Sequence, residues 1–128
     1  MIPTISMAKK IMIVDDSRTV RQQVESALSG GGYEVIEAID GMEALEKIAA
    51  FKDLAMIICD VSMPRMNGLE LLARLKEQNR NGLPVLMLTT EGQPTLIARA
   101  KDFGAKGWIV KPFKPEMLLA TVRKIVGR

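Results

Sequence analysis

Five short apolar runs alternate with five segments of helical periodicity along this chain of 128 residues. The runs span four to six residues and carry mainly Ile, Val, Leu and Met, which is typical of strands buried on both faces of a parallel sheet. Because a predicted helix follows every predicted strand, the simplest arrangement is a parallel sheet with helices on both of its faces. The sequence therefore predicts an α/β fold with five strands and five helices in a (βα)5 order.

The predicted strands are residues 10–14, 33–38, 54–59, 84–88 and 107–110, and the second is expected to be the least buried because it alternates in polarity. Ser17 and Pro115 are expected to begin the first and last helices. The three helices between them are predicted at 42–51, at 69–78 and in the segment that ends at Gly104. Residues 9–128 are predicted to form one domain, and residues 1–8 a loose N-terminal extension.

The composition excludes several classes of function. The chain has no histidine, and its single cysteine, Cys59, lies in a predicted strand. Internal disulfides, His-based catalysis and the usual zinc sites are therefore excluded. No apolar run approaches the about 20 residues of a membrane span, so we expect a cytosolic protein without membrane contact.

The net charge of +3 is unevenly distributed. Residues 99–128 carry eight basic and two acidic side chains, whereas residues 1–98 carry ten basic and thirteen acidic ones. The last quarter of the chain is thus predicted to form a cationic surface on a mildly acidic body. Both a partner-binding role and an ordinary solvated surface are compatible with this pattern.

Polar functional groups end four of the five predicted strands: Asp15 with Asp16, Asp60, Thr89 and Lys111. The carboxyl ends of parallel strands meet at one edge of a sheet, so these groups are expected to converge there. Three neighbouring carboxylates repel unless one is protonated or a divalent cation binds, and oxygen ligands favour Mg²⁺. An ammonium and a hydroxyl beside them suit a phosphoryl group, with a central carboxylate as its nucleophile.

The motifs in this order resemble the receiver domain of bacterial response regulators. They are Asp15-Asp16 after the first strand, Asp60 followed by Met63-Pro64 and Asn67-Gly68, Thr89 after the fourth strand, and Lys111-Pro112-Phe113 after the fifth. The resemblance covers residues 9–128 and is closest to the single-domain regulators of chemotaxis. It implies a flavodoxin-like fold.

By this resemblance Asp60 is the phosphoacceptor and receives its phosphoryl group from a phosphohistidine on a histidine kinase. The resemblance also implies that Asp16, Asp60 and the backbone carbonyl of Ser62 ligate Mg²⁺, while Asp15 acts through a water. A carboxylate that accepts a phosphoryl group and loses it again to water makes the chain a signalling phosphoacceptor rather than an enzyme.

The resemblance further implies that Thr89 and Lys111 bind the phosphoryl oxygens and that the Lys111-Pro112 bond is cis. Lys111 is expected to pair with Asp60 at rest. Trp108 stands where the family has an aromatic residue, commonly Tyr or Phe, that turns inward as the Thr89 loop closes. Ser62 and Glu91 occupy variable positions that tune how fast the phosphoryl group is lost to water.

The resulting hypothesis is a stand-alone switch whose fourth helix, fifth strand and fifth helix bind an acidic output partner in chemotaxis or motility signalling. A phosphorelay intermediate that passes the phosphoryl group to a histidine phosphotransferase is the main alternative. A phosphate-independent binding module does not need the intact acceptor set, and a haloacid dehalogenase-type hydrolase requires an acid where the chain has Ser62. A dinucleotide-binding enzyme requires glycines directly after the first strand, and specific DNA binding is not expected.

Overall fold

The computed structural model describes residues 8–78 and 82–127, in which five strands alternate with five helices. The predicted N-terminal extension, apart from Ala8, and most of the predicted break after the third helix lie outside the described residues. The elements are β1 (Lys10–Val14), α1 (Arg18–Ser29), β2 (Glu34–Ala38), α2 (Gly41–Ala50), β3 (Leu54–Cys59), α3 (Gly68–Glu77), β4 (Val85–Thr89), α4 (Pro94–Asp102), β5 (Gly107–Val110) and α5 (Pro115–Val126).

The five strands form one parallel sheet in the order β2-β1-β3-β4-β5, which confirms the predicted fold class. Because all strands run in the same direction, their carboxyl ends lie along one edge of the sheet, which we call the upper edge. β1 and β3 are neighbours at the centre, and β5 is paired on one side only. The loops that follow β1, β3, β4 and β5 therefore meet at the upper edge.

Two hydrophobic clusters cover the two faces of the sheet. Ile11 and Ile13 of β1 belong to one cluster with residues of α1 and α5, whereas Met12 and Val14 belong to the other with residues of α2, α3 and α4. This alternation follows from the two-residue period of a strand. As expected, β2 is more exposed than the central strands, which are buried on both faces.

The predicted elements are confirmed with boundary shifts of one or two residues. Tyr33 lies before β2 because its backbone N–H donates to the Leu28 carbonyl at the end of α1. Pro84 precedes β4, and Thr89 is the last residue of that strand instead of following it. None of the helices in the described ranges has both the length and the apolar character that a bilayer-spanning helix needs.

Side-chain caps place the helix starts close to the upper edge. Ser17 Oγ accepts a hydrogen bond from the Val20 backbone N–H, which confirms the predicted cap of α1. Asn67 and Glu70 form a reciprocal capping box at the start of α3. Asp40 caps α2 by accepting a hydrogen bond from the Glu43 N–H.

The Asp40 carboxylate predicts a specific dependence of stability on pH. It is 2% exposed, and the hydrogen bonds from the Arg65 guanidinium lower its pKa below the usual 3.8. Its charge therefore stabilises the fold above pH 3.8, and that stabilisation is lost as the pH falls through the lower folded-state pKa. We expect Asp40→Ala, which also removes the helix cap, to lower the free energy of unfolding at pH 7 by about 1–2 kcal/mol. Urea unfolding between pH 2 and 7 measures this effect; a deficit that does not shrink at low pH would contradict it.

Candidate functional site

Three aspartates meet at the upper edge, as the sequence predicted. Asp15 and Asp16 follow β1, Asp60 follows the adjacent β3, and each offers a carboxylate oxygen within 4.8 Å of the other two. Asp15 and Asp60 are buried, while Asp16 is exposed to solvent. The cluster is thus open on the side of Asp16 and closed on the side of the sheet.

Lys111 bridges the two buried carboxylates. Its Nζ lies 2.7 Å from Asp15 Oδ2 and 3.2 Å from Asp60 Oδ2. The expected pair with Asp60 is present, but the shorter contact is with Asp15. The backbone N–H of Lys111 donates to the Thr89 carbonyl at 2.8 Å, and the Lys111-Pro112 peptide bond is cis, as the resemblance implied.

The charges of the cluster do not balance, because three carboxylates face one ammonium. Burial raises the pKa of Asp15 above its usual value even though Lys111 and the Ser17 N–H donate hydrogen bonds to it. Burial lowers the pKa of Lys111, but the hydrogen bond and the charge of Asp15 outweigh this, so its pKa is raised overall. Lys111 is therefore fully protonated near neutral pH and still leaves negative charge uncompensated. A set of oxygen donors with excess negative charge fits a divalent cation such as Mg²⁺.

The loop between β3 and α3, residues 60–67, carries the central aspartate and depends on a glycine at its end. Asp60 Oδ1 accepts from the Val61 N–H at 2.7 Å, and the Gly68 N–H donates to the Val61 carbonyl at 2.8 Å. A Cβ atom at Gly68 would lie 2.1 Å from the Asp60 carbonyl oxygen, so no other residue fits there without displacing Asp60. Ser62 lies within this loop and is exposed.

Thr89 and Trp108 are connected through the loop after β4. Thr89 is fully buried, and its Oγ1 accepts a hydrogen bond from the Glu91 backbone N–H at 3.2 Å. The Trp108 indole Nε1 donates to the Glu91 carbonyl at 2.8 Å. β4 pairs with β3, with Cys59 opposite Met87, so Thr89 ends the strand next to the one that carries Asp60. Glu91 thus links the hydroxyl and the indole through its backbone.

Two arginines make contacts next to the segments that carry the site residues, and neither was predicted from the sequence. Arg21 of α1 donates from Nη1 to the Asp15 carbonyl and from Nε to Glu37 of β2, both at 2.8 Å. Arg65 pairs with Asp40 at the start of α2. The sequence contains an indication for Arg21. A basic side chain near the N-terminus of a helix, where the helix dipole is positive, is unfavourable unless an acceptor binds it. No comparable signal marks Arg65.

Residues 11–123 match the family model of the response regulator receiver domain. The chain belongs to the response regulator receiver domain family. This receiver domain is 41% identical over 120 residues to the chemotaxis protein CheY1 of Helicobacter pylori strain J99, a match that covers 92% of this chain and 97% of the relative.

Solved structures show the same similarity. The chemotaxis protein CheY4 of Vibrio cholerae is 44% identical with a TM-score of 0.86, and the match covers 92% of this receiver domain and 98% of that chain. A CheY of Borrelia burgdorferi, in a complex with CheX, BeF3 and Mg²⁺, is 29% identical with a TM-score of 0.86. The match covers 91% of this receiver domain and 88% of that chain. These homologues support a role for this receiver domain in chemotaxis signalling.

Proposed function

We propose that this receiver domain is a phosphorylation switch that accepts a phosphoryl group on Asp60 from a histidine kinase. The observation that carries the proposal is the cluster itself, in which Asp60 stands among Asp15 and Asp16 with the Lys111 ammonium 3.2 Å from one of its oxygens. In the proposed assignment these side chains supply the nucleophile, cation ligands and a cationic group for the phosphoryl oxygens, and their proximity supports it.

The residues present fit a magnesium ion. In the proposed assignment Asp16, Asp60 and the Ser62 backbone carbonyl ligate Mg²⁺, and Asp15 contacts it through a water. When bound, the ion neutralises negative charge on the phosphoryl oxygens. The complex of the Borrelia burgdorferi relative contains BeF3 and Mg²⁺, which supports the choice of Mg²⁺ as the ion.

In the proposed reaction an Asp60 carboxylate oxygen attacks the phosphorus of a phosphohistidine. The new O–P bond forms as the P–N bond breaks, and the imidazole nitrogen of the kinase leaves with the bonding electron pair. Lys111 binds one phosphoryl oxygen while keeping its contact with Asp15, which holds the ammonium 2.7 Å away. The product is an aspartyl phosphate that water later hydrolyses, and Ser62, two residues after Asp60, and Glu91, two residues after Thr89, tune that rate.

The switch begins at the Thr89 hydroxyl, which we propose turns to donate to a phosphoryl oxygen. In the present structure Thr89 Oγ1 accepts from the Glu91 N–H, and the Glu91 carbonyl accepts from Trp108. A movement of Thr89 therefore changes the position of Glu91 and with it the indole. This biases an existing equilibrium of conformations and needs no new fold.

The proposed output surface consists of α4, β5 and α5. Six exposed basic residues lie on or beside these elements, and none forms an ion pair within the described part of the chain: Arg99, Lys101, Lys106, Lys114, Arg123 and Lys124. Val110 and Met117 expose large apolar side chains on the same elements. A partner with acidic and apolar side chains fits this combination. A cytosolic location and the absence of specific DNA binding remain predictions.

Trp108 emission tests the proposed switch directly, because the chain has one tryptophan. We expect beryllofluoride together with Mg²⁺ to change the emission intensity in a saturable manner, since the Trp108 hydrogen bond to Glu91 is altered when Thr89 moves. Beryllofluoride without Mg²⁺ is the control and is expected to have no effect. Unchanged emission in the complete mixture, with binding shown by calorimetry, would contradict the coupling of Trp108 to the acceptor.

A further inference from the structure

Arg65 lies in the middle of the β3–α3 loop in a backbone conformation that few arginines adopt. Its φ angle is +64°, and it is the only non-glycine residue with positive φ in the described part of the chain. The Met66 N–H donates to the Pro64 carbonyl at 2.7 Å, so residues 64–66 form a γ-turn centred on Arg65. A γ-turn with positive φ is rare and strained for a residue with a side chain. Something outside the turn must therefore stabilise it.

The contact that stabilises this turn is a bidentate ion pair with the residue that caps α2. Arg65 Nε lies 2.7 Å from Asp40 Oδ2, and Arg65 Nη2 lies 3.1 Å from Asp40 Oδ1. Asp40 is 2% exposed although the Arg65 side chain is 60% exposed, so the arginine covers the carboxylate from the solvent side. Such paired, charge-assisted hydrogen bonds are strong and directional. They fix the loop at its midpoint.

A backbone contact beside the ion pair makes the attachment specific. The Gly41 N–H donates to the Met66 carbonyl at 3.2 Å, and a Cβ atom at Gly41 would approach the Met66 side chain to 2.6 Å. Met66 itself is buried. The loop is thus held at Val61 by the Gly68 N–H and at residues 65 and 66 by the start of α2, and the exposed Ser62 lies between these two attachments.

We propose that Arg65 is a positioning residue, whose ion pair with Asp40 fastens the β3–α3 loop to α2 and so keeps Ser62 and Asp60 in the arrangement that binds the divalent ion. This inference rests on the proposed function, because it assigns Arg65 a role in the geometry of that same site. Arg65 itself touches neither the acidic cluster nor a reacting atom in any contact of the described residues.

Arg65→Met tests the inference, because it keeps the side-chain stem and removes the guanidinium. We expect the dissociation constant for Mg²⁺, measured by calorimetry, to rise about 10-fold, the low end of the effect of removing outer supports of metal ligands. Arg65→Lys retains one charged donor and is expected to restore part of the affinity. Arg65→Gly relaxes the γ-turn but lacks the ion pair, so its affinity is expected to match that of Arg65→Met even where its melting temperature is higher.

Lys10→Met is the matched control, since it removes the ion pair with Asp53 at the opposite edge of the sheet and is expected to leave Mg²⁺ affinity unchanged. Hydrogen exchange of the metal-free protein gives an independent readout, and the Gly41 N–H is expected to exchange faster in Arg65→Met. Wild-type affinity and exchange in Arg65→Met would overturn the inference and leave the proposed function intact. A wild-type protein that binds no Mg²⁺ would overturn both, whatever the exchange data show for the loop.

Discussion

Asp60→Asn is expected to abolish phosphorylation by acetyl phosphate in the presence of Mg²⁺. A carboxamide lacks the negatively charged oxygen that attacks phosphorus, so no aspartyl phosphate forms. We expect the mass spectrum of the wild-type protein to show the gain of one phosphoryl group and that of the variant to show none. Asp53→Asn, at an exposed position away from the cluster, is the control and is expected to react as the wild type does.

The same variant is expected to be more stable than the wild type in the absence of metal. Asp15, Asp16 and Asp60 repel one another, and burial alone already disfavours the charged form of Asp15, whose pKa is raised. Removal of one charge relieves this repulsion, so the melting temperature without Mg²⁺ is expected to rise by a few degrees, about 1 kcal/mol in free energy. Addition of Mg²⁺ is expected to stabilise the wild type more than the variant.

A phosphorylated Asp60→Asn protein would contradict the phosphorylation prediction and show that another residue is the acceptor.

Lys111→Met is expected to lower the free energy of unfolding by about 3 kcal/mol, because it leaves buried carboxylates without their cation. Asp15 is completely buried, and Lys111 Nζ lies 2.7 Å from its Oδ2. The loss of the ammonium is therefore expected to destabilise the Asp15 carboxylate most. The effect is expected to be largest without metal and to shrink when Mg²⁺ is added, because the ion replaces part of the missing charge. Phosphorylation by acetyl phosphate is expected to slow as well, since Lys111 no longer binds a phosphoryl oxygen.

The contribution of Lys111 also has a defined pH range. Its pKa in the folded state is raised above the usual 10.5, so the stability from the ion pairs is complete below pH 10.5 and is lost as the pH rises through the higher folded-state value. Lys111→Met is expected to lack this alkaline loss. Thermal unfolding of both proteins between pH 7 and 11 measures this loss of stability. Equal stability of the two proteins at pH 7 would show that Asp15 needs no cation.

Much of the fold could be predicted because its signals are local. Each buried strand is a short apolar run, and residues such as Ser17 and Pro115 mark helix starts by their own chemistry. The boundary error at β2 arose from a hydrogen bond in the turn that ends α1. Tyr33 has the side chain of a strand residue, yet its N–H is taken by Leu28, so β2 starts one residue later.

The members of the site and the pair of Lys111 with Asp60 could also be predicted, but the other contacts could not. Asp15 and Asp16 are equivalent by sequence, and only packing decides that Asp15 is buried and bound to Lys111 while Asp16 faces solvent. The pair of Arg65 with Asp40 joins residues 25 positions apart through an unusual backbone conformation, which no periodicity or motif encodes. The roles of the site residues, including the magnesium ligands, remain predictions for the experiments above.

For the proposed switch, the order of the strands separates the acceptor carboxylate from the residues that are proposed to move. The carboxylates follow β1 and β3, which each have a neighbouring strand on both sides. Thr89 and Trp108 belong to β4 and β5, next to the margin of the sheet where one strand lacks a second neighbour. In the proposed mechanism the phosphoryl group is therefore accepted between two central strands, and the conformational change would occur on the side of the sheet that carries the proposed output surface.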